Sequence, residues 1–510
     1  MTRASNNKLI IRNTIYLSIR MVFVLFVSLY TSRVLLRVLG VVDFGVYNVV
    51  AGFVSMFAFL RSSMTDAIQR FFNYEFGKNG MDGGNKVYNT SLFIQAFIAI
   101  IILIFTETLG LWYLYYKMVV PPDRFVAAFW IFQFSTLSLV FMVFQIPYRA
   151  AIVAHERMDF SAFVGILDAI LKLIIALILP YVKSDQLIAY GFLLLLISVI
   201  NWGLYYFYTK INFKDLKFQF QFHKSLFKEM LSFSVWNFFG SFSSVMREQG
   251  VNMVLNLFYG PVINAARGIA YQVTGALKGL VHNVTNAARP QMVQSYAAGN
   301  VSRTFHIMYG ISKLVYLSLY LLSIPVILEV DYILKIWLGE YVPEHTNNFF
   351  ILAITASIIR TLHPMTSHVV QATGKIKLFQ FVNGVIDLII VFVAYLFCYL
   401  GYEPESVFVL YIIANIIIQV ICWHILQSLV SEFSMIHYIK KVILPIMCVS
   451  ILSFIMPYLA HQMMDTGFLR LLVVVIVSFI STSLISYFVG LNIKERAMIN
   501  DYIYKKIKKS

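Results

Sequence analysis

The hydrophobic pattern of the chain is a succession of long apolar segments, separated by short stretches that carry charged or turn residues. Each segment is about as long as the roughly 20 apolar residues that a helix needs to cross a bilayer. The predicted segments are 9–33, 41–61, 87–110, 125–147, 159–182, 186–208, 229–253, 262–286, 305–328, 347–371, 376–400, 406–429, 440–460 and 467–490. The pattern therefore predicts an all-α polytopic membrane protein with about 14 transmembrane helices.

The composition agrees with this prediction and excludes a soluble globular protein. About 60% of the 510 residues are hydrophobic and only 13% are charged, whereas soluble domains carry about 25% charged residues. The basic start and the apolar run to Leu36 resemble a signal peptide. The run is too long, however, is interrupted by Arg20 and lacks a small-residue cleavage site. We therefore predict a retained first helix.

Basic residues concentrate in alternate connections of the predicted helices. Six basic residues at the ends of predicted helices are counted with the adjoining connection or tail: Arg12, Arg33, Lys377, Lys440, Lys441 and Arg470. With the N-terminus in the cytoplasm, the even-numbered connections and both tails then hold 25 of the 40 Lys and Arg residues. The odd-numbered connections hold 7, and the predicted helices hold 8. Cytoplasmic loops of membrane proteins are enriched in Lys and Arg. The distribution predicts that both termini are cytoplasmic, and it explains the net charge of +16 without a nucleic-acid partner.

The most basic internal connection divides the chain into two groups of six helices and a final pair. A shift of 220 residues pairs six identical residues of the two groups, including Gly40 with Gly260. Two pseudo-symmetric halves are typical of alternating-access transporters. The lysines and phenylalanines of the connection fit either contact with an anionic leaflet or a solvated linker. The predicted parts are an N-terminal six-helix bundle (1–209), a basic cytoplasmic linker (210–228), a C-terminal six-helix bundle (229–430), and two additional helices with a basic cytoplasmic tail (431–510).

The sequence carries no strong signal for catalysis, a cofactor or a metal. It lacks the G-x-x-x-x-G-K-[ST] loop of ATP-driven pumps, and its cysteines, Cys398, Cys422 and Cys448, lie in apolar runs. His363 and His368 are five residues apart and would lie on different helix faces. We predict a transporter and not an enzyme. A glycan polymerase or ligase is the alternative from another class, since Glu329 and nearby acids could imitate a site, although an acidic outer loop is the simpler interpretation.

Ionisable residues inside the predicted helices indicate the substrate path, because a charge at bilayer depth costs at least about 2.5–3.5 kcal/mol. Cations outnumber acids among them, and an excess of buried positive charge favours an anionic substrate. Some long basic side chains near helix ends, such as Arg247 and Lys313, can instead reach the headgroups. The candidates for charges at bilayer depth are the cations Arg20, Arg61, Lys172, Arg247, Arg267, Lys278, Lys313 and Arg360 and the acids Asp168, Glu248 and Asp387.

Five of these cations are the candidates for substrate binding: Arg20, Arg360, Lys172, Arg267 and Lys278. Asp168 and Lys172 are four residues apart, so an internal ion pair is the competing interpretation for Lys172. Pro364, shortly after Arg360, predicts a hinge or an ordinary proline kink in its helix. Asp168 and Asp387 are the buried acids available for coupling to an ion.

Four segments resemble a known family. TSRVLLRVLGVVDFG from Thr31 resembles the turn between the first two helices of bacterial polysaccharide and O-antigen flippases. LNLFYGPVINAARGIAYQV from Leu255 and ARPQMVQSYAAGN from Ala288 resemble the corresponding turn and exit in their second half. QATGKIK from Gln371 resembles their link between helices 10 and 11. The chain is thus similar to the polysaccharide flippase branch of the multidrug/oligosaccharidyl-lipid/polysaccharide (MOP) exporter superfamily.

The resemblance implies two six-helix bundles around a V-shaped lumen. It also implies a flippase of the bacterial inner membrane that moves an undecaprenyl-pyrophosphate-linked oligosaccharide outwards by alternating access, for polysaccharide or lipopolysaccharide biosynthesis. The expected partners are this lipid-linked oligosaccharide and membrane lipids, a Na⁺ or H⁺ gradient is a candidate energy source, and a monomer suffices. The last two helices resemble the layout of the peptidoglycan-precursor flippase, in which they form a lipid-facing groove.

The competing branch is that of multidrug and toxin extrusion (MATE) antiporters, which export cationic drugs against sodium or protons. Members of that branch typically carry an acid in helix 1. Here residues 9–33 contain no Asp or Glu and do contain Arg20. This departure favours an anionic lipid pyrophosphate over a cationic drug.

Overall fold

The computed structural model describes the backbone of residues 3–154, 157–213, 216–219, 223–492 and 495–497. The described side chains exclude those of 3–22, 58–67, 69–70, 73–82, 153–154, 158, 231–238, 276, 280–283, 286–287, 290 and 297. The described backbone is almost entirely helical, and no strand occurs in it. The predicted all-α class is confirmed.

Nineteen α-helices are numbered in chain order within the described residues. They are α1 (Arg3–Ser55), α2 (Ala58–Phe105), α3 (Leu111–Tyr116), α4 (Phe125–Phe144), α5 (Ile146–Ala154), α6 (Met158–Ile178), α7 (Gln186–Asn212), α8 (Lys224–Val245), α9 (Val251–Tyr259), α10 (Pro261–Ala297), α11 (Val301–Leu328), α12 (Val330–Leu338), α13 (Thr346–Arg360), α14 (His363–Ala372), α15 (Lys377–Tyr399), α16 (Glu405–Leu429), α17 (Met435–Tyr438), α18 (Leu444–Met463) and α19 (Phe468–Ile485). Short π-helical turns, among them Ile439–Ile443 and Ser486–Gly490, join several of them.

The chain forms two compact units. Unit 1 comprises Met1–Gly268 and Gly384–Pro404, and unit 2 comprises Ile269–Asn383 and Glu405–Ser510. In unit 1, α1 packs on α6 and α4, and α4 packs on α7. In unit 2, α13 packs on α16, and α11 packs on α18 and α19. The predicted division of the bundles at 210–228 stays a prediction.

Eleven helical stretches of the described residues are long and apolar enough to cross a membrane. They confirm a multi-pass membrane protein but not the predicted number of fourteen helices. Parts of two predicted helices, 9–33 and 41–61, fall in one of these stretches, Phe23–Ser55. The predicted helices at 229–253 and 262–286 contain side chains outside the described part.

A glycine breaks α1 between the predicted first and second helices. Gly40 has φ 76° and ψ 171° inside the otherwise helical stretch. Gly260, its partner in the internal repeat, has φ 78° and ψ −175° between α9 and α10. Residues with a side chain rarely adopt a positive φ, whereas glycine adopts it at little cost. The two halves of the sequence therefore make the same turn at the repeated glycine.

The predicted connection between the second and third helices, residues 62–86, is wrong, because α2 runs through it. Residues 62–86 are polar and are predicted to link two helices, yet they continue the helix in a single run of 48 residues. The run contains no proline, and polarity alone does not remove a backbone hydrogen bond. The predicted span at 87–110 is thus the second part of a much longer helix.

Buried asparagines connect α1, α9 and α10 within unit 1. Asn264 donates to the carbonyl and side-chain oxygens of Asn252, at 2.8 and 2.9 Å. Asn256 exchanges hydrogen bonds with the backbone of Val119, at 2.9 and 3.1 Å, and Asn252 donates to the Asn48 carbonyl. Asn256 and Asn264 are fully buried. Because a buried amide is costly unless it is hydrogen-bonded, this network favours one register of the three helices.

Large apolar side chains remain exposed along the helices of both units. Phe392 is 74% exposed, and Met463 on α18 is 83% exposed. An aqueous protein does not leave so many large apolar side chains in water. We interpret these surfaces as lipid-facing.

Candidate functional site

The helix that carries Arg360 is interrupted directly after this residue. Helix α13 ends at Arg360, and α14 begins at His363 with Pro364 in its first turn. Proline is accommodated in a first turn, where a backbone N–H has no partner in the helix, but not in a helix interior. Thr361 and Leu362, between the two helices, keep α-helical φ and ψ. The interruption is therefore a kink at the proline, one of the two predicted possibilities, and Arg360 is the last residue before this α13–α14 break.

Two of the predicted binding cations line the same cavity at this break. The cavity, in unit 2, has a volume of about 150 Å³. Its lining contains two basic residues and no acidic one among the side chains that the structure describes there. It is lined by Lys278, Thr285, Leu319, Ser357, Arg360, Thr361 and Pro364. Helix α10 and the α13–α14 break thus bring together Lys278 and Arg360, which are far apart in the sequence.

The guanidinium of Arg360 is held by a neutral amide. Its Nη1 donates to Oδ1 of Asn415, at 3.4 Å, and Asn415 in turn donates to the carbonyl of Ala356, at 3.2 Å. The Asn415 amide is neutral and orients the guanidinium. Arginine presents a planar fork of donors that matches two phosphate oxygens, so Arg360 is suited to an anionic ligand.

Lys278 approaches an aromatic ring two helical turns away. Its Nζ lies 5.5 Å from the centroid of the Tyr271 ring, within the range of a cation–π contact. This contact leaves the ammonium positive and directs the long side chain along α10. Lys278 is an exposed residue of the cavity lining.

A chain of polar side chains follows the break into α14 and α15. His363 Nε2 is 3.0 Å from Oδ1 of Asn383, and the amide of Asn383 lies 3.5 Å from Sγ of Cys422. Gln419 donates to Oγ1 of Thr366, at 3.0 Å. His363 therefore belongs to a hydrogen-bonded network at the α13–α14 break. These contacts fix the start of α14 relative to α15 and α16.

Lys172 is paired with the acid one turn earlier. Its Nζ is 2.7 Å from Oδ2 of Asp168, and Asn201 donates to the other oxygen, Oδ1, at 2.8 Å. The competing interpretation of an internal ion pair is confirmed. Because Asp168 partly neutralises Lys172, this lysine attracts an anionic ligand less strongly than the sequence alone predicts. Asp168 itself accepts hydrogen bonds from two donors, Lys172 and Asn201.

We expect the Asp168–Lys172 pair to act as one unit in stability measurements. Lys172→Gln leaves a carboxylate in an apolar helix bundle, so it should lower the melting temperature more than the double variant Asp168→Asn with Lys172→Gln. A double-mutant cycle in detergent, followed by thermal unfolding, should give a coupling of about 0.5–1 kcal/mol, because both side chains are partly exposed. Additive effects would contradict the pairing.

The other ionisable candidates are also engaged. Arg247 Nη1 is 2.8 Å from Oδ1 of Asp387 within unit 1, so the predicted coupling acid has a cationic partner. Arg267 is 5% exposed and donates to the carbonyl of Glu248, at 2.6 Å. Lys313 is buried against Glu495, at 2.5 Å. Arg247 and Lys313 are therefore each paired with an acid inside the protein.

Two of the candidate cations are described in their backbone only. The backbone of Arg20 is in α1 and that of Arg61 is in α2. Both side chains lie outside the described residues. The prediction that Arg20 binds substrate stays a prediction.

Unit 2 contains a buried ionic cluster that the sequence does not predict. Glu329, which follows α11, is 1% exposed and binds Arg470 of α19, at 2.9 Å, and Nδ1 of His461 of α18, also at 2.9 Å. In the sequence Glu329 opens an acidic connection, for which an outer loop is the simpler interpretation. No local signal distinguishes it, because its partners come from helices more than 130 residues away. The cluster joins the last two helices to α11.

A second cluster missed by the sequence analysis lies at the start of α4. Arg124 donates to both carboxylate oxygens of Asp43, at 2.6 and 2.7 Å, and of Asp185, at 2.7 and 3.2 Å. Asp185 also caps α7 by accepting from the backbone N–H groups of Leu187 and Ile188. One guanidinium thus binds together three segments of unit 1.

The chain shares its fold with solved membrane transporters. A structure of the lipid II flippase MurJ in an inward closed conformation aligns with a TM-score of 0.73 and 15% identity, over 94% of this chain and 98% of that one. An inward-facing MATE multidrug resistance transporter of the MOP superfamily aligns with a TM-score of 0.63 and 14% identity, over 83% and 96%. A MOP superfamily transporter from Pyrococcus furiosus, described as having a binding pocket of reverse polarity, aligns with a TM-score of 0.53 and 14% identity, over 82% and 96%.

No family model matches the sequence, and no curated protein matches it. The chain is thus similar to these transporters in its fold, at identities of 13–15%. The described chain is a multi-pass helical membrane protein with the fold that MATE transporters and MurJ share.

Proposed function

We propose that the chain is a flippase of the MOP type that moves an undecaprenyl-pyrophosphate-linked oligosaccharide across the bacterial inner membrane by alternating access. The observation that carries this proposal is the cavity at the α13–α14 break, where Lys278 and Arg360 meet without an acidic residue in the described lining. A lipid pyrophosphate supplies the anion that such a cavity attracts.

Two further observations support a lipid-linked substrate. The flippase named for lipid II aligns over 94% of this chain, whereas the inward-facing MATE structure aligns over 83%. The chain also carries α18 and α19, which expose large apolar side chains and are fastened to α11 by the Glu329 cluster. These helices would provide an apolar surface for a polyprenyl tail that stays in the bilayer while the headgroup crosses.

The residues have distinct roles in the proposed mechanism. Arg360 binds two oxygens of the pyrophosphate through its guanidinium fork, and Lys278 adds a mobile point charge from α10. The interrupted helix at Pro364 lets the Arg360 half move separately from α14. Arg20, Arg267 and Lys172 are proposed secondary contacts, of which Lys172 becomes available when its pair with Asp168 opens.

Coupling to a Na⁺ or H⁺ gradient is proposed to act at Asp168 or Asp387. Each carboxylate faces a cation, Lys172 at 2.7 Å or Arg247 at 2.8 Å. A proton or sodium ion on the carboxylate would compete with that cation and release it. We further propose that both termini are cytoplasmic, that a monomer suffices, and that the partners are the lipid-linked oligosaccharide and membrane lipids.

Binding of the purified full-length protein to undecaprenyl pyrophosphate tests the proposal. Wild type should bind it more tightly than undecaprenol, and the double variant Lys278→Gln with Arg360→Gln should lose about tenfold or more in affinity, since hydrogen bonds to charged groups contribute about 1.5–3 kcal/mol each. Titration followed by native mass spectrometry gives both affinities. Lys335→Gln, an exposed lysine of α12, is the control.

A MATE-type antiporter of cationic drugs is the alternative function, and it makes the opposite prediction. Expression would then confer drug resistance that depends on a buried acid, and the Lys278 and Arg360 variants would bind cationic dyes at least as well as wild type. Equal affinity for undecaprenol and undecaprenyl pyrophosphate, together with drug resistance, would overturn the flippase proposal.

A further inference from the structure

Unit 2 contains a large cavity that the proposed transport cycle does not use. It has a volume of about 1040 Å³ and lies where the start of α11, the segment from α17 to α18 and the residues after α19 meet. The charge distribution of the sequence predicts that these three helix ends face the cytoplasm. The volume is that of a site for a sizeable ligand.

The charges that line this cavity are unbalanced. Lys313 and Glu495 form an internal pair at 2.5 Å, and the same carboxylate accepts from the backbone N–H of Asn492. The remaining charged residues of the described lining, histidines aside, are three cations and one acid: Lys440, Lys441, Arg496 and Glu432. Three cations and one acid make an environment that favours an anion.

The basic residues of this cavity are held in place by hydrogen bonds and by helical backbone. Arg496 is fixed by hydrogen bonds to the carbonyls of Leu491, at 3.0 Å, and Phe488, at 2.5 Å. Since both acceptors are neutral, its charge is retained. Lys440 and Lys441 are consecutive residues of the π-helical turn Ile439–Ile443, and a second π-helical turn, Ser486–Gly490, ends at the cavity. Such turns occur frequently at functional sites.

The surface beside the cavity is apolar. Leu444, one turn after Lys440, is 51% exposed, and Phe488, whose carbonyl binds Arg496, is 63% exposed. A ligand that fits both surfaces is amphiphilic, with a phosphate at the basic residues and acyl chains along α18 and α19. A soluble anion would contact only the basic residues and not the apolar surface along α18 and α19.

We propose that this cavity binds the phosphate headgroup of an anionic phospholipid of the cytoplasmic leaflet, as a site separate from the Lys278–Arg360 cavity. Basic residues at a membrane surface attract anionic lipids, and the two lysines and Arg496 surround one headgroup. The bound lipid stabilises the packing of α18 and α19 on α11. This inference does not depend on the transported substrate.

Lipid binding to the purified full-length protein in a neutral detergent tests the site. Native mass spectrometry with phosphatidylglycerol and with phosphatidylcholine of the same chains should show one additional, tighter phosphatidylglycerol on wild type. Lys440→Gln with Lys441→Gln should weaken that lipid by about 10- to 30-fold, because each basic residue near an anionic surface contributes about a factor of five. Lys440→Arg with Lys441→Arg keeps the charge and should retain it.

The matched control is Lys375→Gln with Lys377→Gln, which removes the same charge from an exposed connection on the same predicted side. It should bind phosphatidylglycerol like wild type. Equal loss in both double glutamine variants would show a general charge effect and overturn the site. Displacement of the lipid by millimolar inorganic phosphate, with equal stabilisation in the absence of lipid, would overturn the assignment to a phospholipid in favour of a free phosphate.

Discussion

Arg360→Glu abolishes transport while the protein still inserts into the membrane: this is the result that the proposed function requires. The reversal turns the attraction for a pyrophosphate into repulsion in a half-buried cavity. Truncating one member of a desolvated charge pair costs about 2–5 kcal/mol, which corresponds to at least about a 30-fold loss. The measurement is surface polysaccharide in a strain that lacks its own flippase and expresses the variant.

Two comparisons separate this effect from misfolding. Arg360→Lys keeps the charge but loses the planar fork, so it should retain partial transport. Lys335→Glu makes the same charge reversal at an exposed position of α12 in the same unit, and should transport normally. Full complementation by Arg360→Glu, at an expression level equal to that of wild type, would falsify the assignment of the anion site.

Glu329→Gln should be the most destabilising of the substitutions considered for unit 2. The carboxylate is fully buried and binds both Arg470 and His461, so its removal leaves a buried guanidinium without its anionic partner. Breaking such a pair from one side costs about 3–5 kcal/mol. Thermal unfolding in detergent should show this loss, and limited proteolysis should cleave near α18 and α19 first, because the cluster fastens these helices to α11.

The double variant Glu329→Gln with Arg470→Met provides the internal check. Removing both charges together costs less than removing one, since no charge is left unpaired in the interior. Glu340→Gln, at an exposed position of the neighbouring connection, is the matched control and should change the melting temperature little. An equal effect of Glu329→Gln and Glu340→Gln would mean that the buried cluster adds nothing to stability.

The helical membrane fold was largely readable from the sequence. Apolar segments of transmembrane length have one low-energy arrangement in lipid, because backbone groups there must be hydrogen-bonded within the helix. The sequence also predicts the glycine turns at Gly40 and Gly260 and the α13–α14 break before Pro364. Each of these features depends on the backbone chemistry of a glycine or a proline and therefore on local sequence. The helical continuation through 62–86 was missed, since polarity predicts exposure and not the end of a helix.

The partners of the ionisable residues were readable only where they are close in sequence. Asp168 and Lys172 lie four residues apart on one helix, so their pair could be anticipated. The pairs of Arg247 with Asp387 and of Glu329 with Arg470 join residues about 140 positions apart. Their existence depends on which helices become neighbours, and the hydrophobic pattern does not specify this.

The sequence by itself determined a helical multi-pass protein, its glycine and proline breaks, and an excess of cations inside its helices, because these follow from local hydrophobicity and backbone chemistry. Only the tertiary structure decided which of those cations are neutralised. It paired Lys172, Arg247 and Lys313 with acids and placed Lys278 and Arg360 together in a cavity with no acid in its described lining. The physical reason is that electrostatic energy depends on distances between helices, which are set by packing.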